Sequence, residues 1–226
     1  MKIETNPTLK VALFPIPEMV AFPNTQVPLH VFEPRYRVMI KYCLENQMML
    51  AIAHTKNTKG KAKGAAKRTN DDVRNLNKNQ SSYEPHKVFS AGACEVIDTT
   101  EDGRMHVEVK LIKRLQLVEI DQEIPFQIAS CIELIDQTEL DSVQPDAEKM
   151  QEIYTVLLAI SEAQSPELHE IISQDEWRNS SPAEFSFKVF EYFRFEADFM
   201  QHVLEQNSVS HRLDLIWQGI TQSLQL

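Results

Sequence analysis

Hydrophobic and polar positions follow two rhythms along this chain, one up to about residue 138 and another beyond it. In the first part the apolar residues come in short runs or alternate with polar ones. Met105, Val107 and Val109 interleave with His106, Glu108 and Lys110, the period of a strand with one buried face. Similar runs predict strands over about 10–14, 26–31, 48–54, 88–97, 111–120 and 126–135. Pro15, Pro17, Pro23, Pro28 and Pro125 punctuate them, because proline interrupts sheet ladders. Asp102-Gly103 is a turn dipeptide between two such runs and predicts a hairpin. One helix interrupts the strands. Pro34 suits a first helical turn, and Tyr36, Met39, Ile40, Cys43 and Leu44 then recur at three- and four-residue spacing until Asn46. The expectation is a meander of about six strands with one inserted helix.

Between 55 and 86 apolar residues nearly vanish, and Lys, Asn, Gly, Thr and Ser dominate. Such a segment buries too little surface to offset an ordering cost of about 1–2 kcal/mol per residue. It reads as a long mobile basic loop inside the strand-rich part, since strand-like sequence resumes after it.

Beyond about 138 the rhythm becomes helical. Met150, Ile153, Tyr154, Leu157, Leu158 and Ile160 mark a helix over 147–163, and Ser165-Pro166-Glu167 starts a second, short one. Ser181-Pro182-Ala183-Glu184 is a capping box with proline in the first turn. Phe185, Val189, Tyr192 and Phe193 follow on one face, with a weak break near Arg194-Phe195. Phe199, Val203 and Leu204 make a further helix, and Leu213, Ile216, Trp217 and Ile220 the last. The fold class is therefore α+β, with 1–138 as a β-rich subdomain and 139–226 as a helical bundle.

Charge changes this picture little but excludes some functions. The net charge is −10, whereas phosphate contacts need a basic face, so general nucleic-acid binding is disfavoured. Residues 56–78 carry a local +6, while 139–226 hold sixteen acids against five bases. The basic stretch lacks interleaved aromatics for base stacking, which favours a solvated insertion over a nucleic-acid tail. Cys43, Cys94 and Cys131 are odd in number and far apart, which fits a reduced, cytoplasmic protein with no disulfide framework. Cys43 falls on the apolar side of the predicted helix and the other two in strands, so all three read as inert packing groups. No apolar run approaches the length of a signal peptide or a membrane span.

Candidate chemistry is sparse. Gly60-Lys61-Ala62 lacks the upstream glycine and the hydroxyl of a phosphate-binding loop. Among the seven histidines (His30, His54, His86, His106, His169, His202 and His211) no pair forms HxH, HxxH or HExxH, so they read as isolated. No GxSxG elbow exists, and no carboxylate pair stands out as an acid–base couple. The expectation is a non-enzyme with no metal, cofactor or catalytic residue.

The run Leu13-Phe14-Pro15-Ile16-Pro17, then Val20-Ala21-Phe22-Pro23, then Val27-Pro28-Leu29-His30-Val31-Phe32-Glu33-Pro34-Arg35-Tyr36-Arg37, resembles the opening of the Lon protease N-terminal domain. Gly92-Ala93-Cys94-Glu95-Val96-Ile97, Asp102-Gly103-Arg104 and Lys113-Arg114-Leu115 are similar to later family strands and their hairpin. His202-Val203-Leu204-Glu205 and His211-Arg212-Leu213 resemble the closing helices. Leu111, Leu115 and Ala93 depart from residues usual in the family, which leaves local geometry there less defined.

The resemblance implies a PUA-like β pseudo-barrel followed by a helical bundle, and a role in recognising polypeptides. Full Lon proteases add an ATPase and a Ser–Lys protease domain. The chain ends at Leu226, and the resemblance implies a standalone domain without either. Its partners would be polypeptides, or a protein in proteolysis or quality control, with RNA binding through the barrel and basic loop as the alternative. Arg35, Tyr36 and Arg114 are the candidate partner-binding residues, against a reading in which they serve folding alone. Glu33 and Pro34 read as folding residues, because a negative charge near a helix N-terminus stabilises it by about 0.3–1 kcal/mol.

Overall fold

The computed structural model describes residues 7–56, 83–137 and 143–224. They divide into two compact units, Met1–Leu134 and Ile135–Leu226.

The first unit contains β1 (Leu9–Pro15), β2 (Gln26–Val31), α1 (Pro34–Asn46), β3 (Met49–Ala53), β4 (Val88–Thr99), β5 (Met105–Gln122) and β6 (Gln127–Glu133). The six strands form one sheet in the order β2-β5-β4-β3-β1-β6, and β6 pairs again with β5. The sheet therefore closes on itself, as a pseudo-barrel does. Closure depends on the length of β5, which runs 18 residues without the expected break near Leu111. Its first half pairs with β2, its second half with β6, and β4 lies along both.

This is not the expected meander. β1 lies between β3 and β6 and runs parallel to β3, with Val11 beside Met49 and Pro15 beside Ala53. A parallel pair cannot be joined by a tight turn, so the chain between β1 and β3 makes a crossover containing β2 and α1. β1 and β3 are consequently buried on both faces, which accounts for their continuous apolar sequence. On one face Ala12, Leu50, Ile52, Val107, Val109 and Leu111 pack with Tyr36, Met39, Ile40 and Cys43 of α1. On the other, Val11, Leu13, Ala51, Phe89, Leu115 and Cys131 form a second cluster.

Local signals hold well. Pro34 occupies the first turn of α1, and the helix stops where Gln47 turns left-handed at φ 51°. The Asp102-Gly103 hairpin forms, with Gly103 at φ 80° and its N–H donating to the Thr100 carbonyl at 2.8 Å. The basic stretch from Lys59 to Lys78 lies outside the described residues. The described ends of the predicted 55–86 loop are joined: Thr55 bridges Pro85, Lys56 pairs with Glu84, and the His54 and His86 rings stack.

The described residues of the second unit form helices: α2 (Val143–Gln164), α3 (Pro166–Ile172), α4 (Asp175–Arg178), α5 (Pro182–Tyr192), α6 (Ala197–Glu205) and α7 (Val209–Leu224). The capping box at Ser181 and Glu184 is formed in full, and Ser165 caps α3 through the Leu168 N–H at 3.1 Å. Ile153, Leu157, Ile172, Phe185, Val189, Val203, Leu213 and Ile216 are buried. Trp177, on the four-residue α4, is buried edge-on to Phe185. None of the helices is long and apolar enough to cross a membrane among the described residues.

Candidate functional site

The opening motif of the chain folds into the walls of one pocket. After Pro15 the chain leaves the sheet, and Ile16 donates its N–H to the Ala53 carbonyl at 2.9 Å. Glu18 takes φ 58° and turns the chain back. The returning segment is fixed from beneath: Ser90 Oγ donates to the Ala21 carbonyl and Thr25 Oγ1 to the Phe22 carbonyl, both at 2.7 Å. Phe14, Ile16 and Met19 thereby line, together with Leu29, Phe32 and Tyr36, a cavity of about 350 Å³. That volume is at the small end of ligand pockets, roughly 300–1,000 Å³. Its prolines are Pro15, Pro17 and Pro28, and its rim includes His30 and Tyr83. Pro28 is tolerated inside β2 because that strand stands at the end of the sheet order, with β5 as its paired neighbour.

The charged pair enters at the start of α1. Glu33, 8 % exposed, precedes α1 but makes no side-chain cap to it. Its carboxylate instead accepts from Arg35 Nε at 3.0 Å. The Arg35 guanidinium lies 4.5 Å from the centre of the Tyr36 ring, which in turn packs on Phe14 at 4.1 Å. Glu33, Arg35, Tyr36 and Phe14 thus form a stack along the pocket wall, joining a buried charge pair to an aromatic surface. Burial, the largest cause, pushes the Tyr36 phenol up to about 12. His30 is lowered from its ordinary value, first by burial and then by His106 and Arg104, against an opposing pull from Asp102.

Two of the three candidate residues from the sequence, Arg35 and Tyr36, meet here. The third does not line this pocket. Arg114 is 4 % exposed on β5, where its Nε donates to the Leu134 carbonyl at 3.4 Å and its own carbonyl accepts the Leu134 N–H at 2.9 Å. Both of these bonds are to the chain just past β6. Phe14, Ile16, Met19 and Phe32 were not singled out as site residues, because apolar residues near strand ends read as ordinary core. The signal that could have found them is the clustering of Pro15, Pro17 and Pro28 around them.

The thiols are not alike. Cys43 and Cys131 are buried, as expected, but Cys94 is half-exposed, because the outer half of β4 leaves the doubly covered part of the sheet. The Cys43 thiol beside it holds Cys94 below its ordinary value, while Cys43 itself is pushed up by that contact and by burial. Burial pushes Cys131 up to about 12.

The sequence profile of the ATP-dependent protease La (Lon) substrate-binding domain matches residues 10–222. No curated protein matches the chain. Among solved structures, the N-terminal domain of the Mycobacterium avium complex Lon protease superposes with a TM-score of 0.67 at 15 % identity, covering 94 % of this chain and 98 % of that one. A Lon N-terminal domain protein from Xanthomonas campestris gives 0.58 at 12 % identity, covering 92 % and 97 %. At such identities the likeness speaks for the fold, and the profile match over nearly the whole length speaks for descent: the chain belongs to the Lon substrate-binding domain family.

Proposed function

We propose that this chain is a non-catalytic module that captures exposed apolar segments of other polypeptides, and that the pocket between β1, β2 and α1 takes one bulky side chain of the captured segment. The observation that carries the reading is the pocket itself. It is walled by Phe14, Ile16, Met19, Leu29, Phe32 and Tyr36, and its ion pair, Glu33 with Arg35, is already satisfied internally. Such a wall rewards apolar contact of moderate size. Fully burying a Leu or Phe side chain yields about 1.5–3 kcal/mol, which suits weak capture of many sequences. Membership of a substrate-binding family supports the same reading, as does the lack of nucleotide-loop and nucleophile-elbow patterns in the sequence. A role in proteolysis or quality control, in the cytoplasm, is part of the same proposal.

The test is an array of unrelated peptides read by fluorescence anisotropy, with Ile16→Asp and Phe32→Ala as the pocket variants. Both residues are partly exposed, so the fold should survive their replacement. Binding that favours peptides with Leu, Ile or Phe, and that weakens in both variants, supports the reading. No binding across the array, or binding indifferent to both variants, removes it.

A further inference from the structure

Beyond the peptide reading, and independent of it, lies an arrangement at the pocket rim. His30 on β2 and His106 on β5 are directly opposed in the antiparallel register. Both are exposed, and their ring centres stand 4.8 Å apart with planes inclined by 46°. A metal ion bonded to an imidazole nitrogen at about 2.0–2.1 Å lies about 3.2 Å from that ring's centre. Two rings sharing one ion at bond angles between about 90° and 109° therefore have centres about 4.5–5.2 Å apart. The observed separation falls inside that interval.

We propose that His30 and His106 form a bidentate site for a divalent first-row transition ion, with water completing the coordination. The two backbones are fixed by the β2–β5 ladder, where Leu29 pairs with Val107 and Val31 with Met105. The site is thus held by strands and not by loops. Two neutral imidazoles suit zinc, nickel and copper(II), whereas magnesium and calcium prefer oxygen ligands. Of the charged groups nearby, Asp102 favours a cation and Arg104 opposes one, but Arg104 is tied to the Asp102 carboxylate at 2.8 Å. The pairing escapes any search for short histidine spacings, since the sheet register brings the two residues together.

The experiment is calorimetric titration of the full chain with zinc chloride, nickel chloride and magnesium chloride. It is repeated on His30→Ala, His106→Ala and the double variant. One zinc or nickel ion per chain is expected, with no heat of binding from magnesium. Since losing an outer-shell partner of a metal ligand already costs about 10–100-fold in affinity, each single variant should lose roughly 100-fold or more. Copper(II) bound to the native chain should show hyperfine coupling to two nitrogens in its paramagnetic resonance spectrum. Absence of zinc and nickel binding, or binding that survives in the double variant, overturns the proposal. Both side chains are exposed, so an unchanged melting profile will confirm that the variants are folded.

Discussion

Arg212 and Asp136 form a two-pronged ion pair in the helical unit. Nη1 donates to one carboxylate oxygen at 2.6 Å and Nη2 to the other at 2.7 Å. The Arg212 side chain is wholly buried, and its remaining contacts are as specific: Nε donates to Ser186 Oγ at 2.9 Å, Nη1 also reaches the Gln206 carbonyl, and the guanidinium covers the Phe187 ring at 4.3 Å. One side chain on α7 thereby joins the segment leading into α2, the start of α5 and the turn after α6.

Removing this arginine should cost about 3–5 kcal/mol, because it leaves a partly buried carboxylate and a buried hydroxyl without their charged partner. Arg212→Ala should lower the urea midpoint by a corresponding amount with little change in slope. Arg212→Lys should recover little of the loss, since an ammonium cannot reproduce the two parallel bonds. A lysine variant as stable as the native chain would show that charge alone suffices.

This pair also shows where sequence reading stops. His211-Arg212-Leu213 stood out by resemblance, but nothing local pointed to Asp136 as the partner of Arg212. Features encoded within a few residues were legible: the Pro34 helix start, the Asp102-Gly103 hairpin and the Ser181–Glu184 capping box. Features set by long-range pairing were not. The parallel β1–β3 contact and the continuity of β5 arise from barrel closure, and period-two alternation is the same for any neighbour. At the site, Arg35 and Tyr36 were legible as polar residues in a motif. The apolar residues around them were not, because a pocket wall and a core are written with the same residue types.

Gly92 marks a second long-range constraint. A Cβ built there would lie 1.8 Å from the Lys110 carbonyl oxygen, beside the register shift between β4 and β5. The obstacle is backbone, which cannot swing aside as a side chain can. Gly92→Ala should therefore destabilise the first unit by at least about 1–3 kcal/mol, the usual cost of overpacking. Thermal unfolding should show this, whereas Ala93→Ser, at the exposed neighbouring position, should leave the midpoint unchanged.

Tyr36 predicts an alkaline limit to stability. Its phenol is pushed up to about 12 in the fold, against about 10 when unfolded. Because the folded value is the higher one, the contribution is fully present below pH 10 and is lost as pH rises towards 12. That difference corresponds to about 2–3 kcal/mol. Denaturant midpoints for the native chain should fall across that window, and Tyr36→Phe should show a smaller fall. Equal slopes in the two proteins would mean that the phenol is not shielded.

Cys94 should be the first thiol to react. It is half-exposed and held below its ordinary value by the Cys43 thiol, whereas Cys43 and Cys131 are buried and pushed up. Thiolate, not thiol, attacks an alkylating agent, so both exposure and acidity favour the same residue. With iodoacetamide near neutral pH, peptide mapping should find Cys94 modified while the other two remain free. Cys94→Ser should abolish that fast phase. Cys43→Ala should slow labelling at Cys94, because it removes the thiol whose hydrogen bond favours the charged form. Labelling of Cys131 at a comparable rate would place the reactive surface on the other face of the sheet and remove this asymmetry.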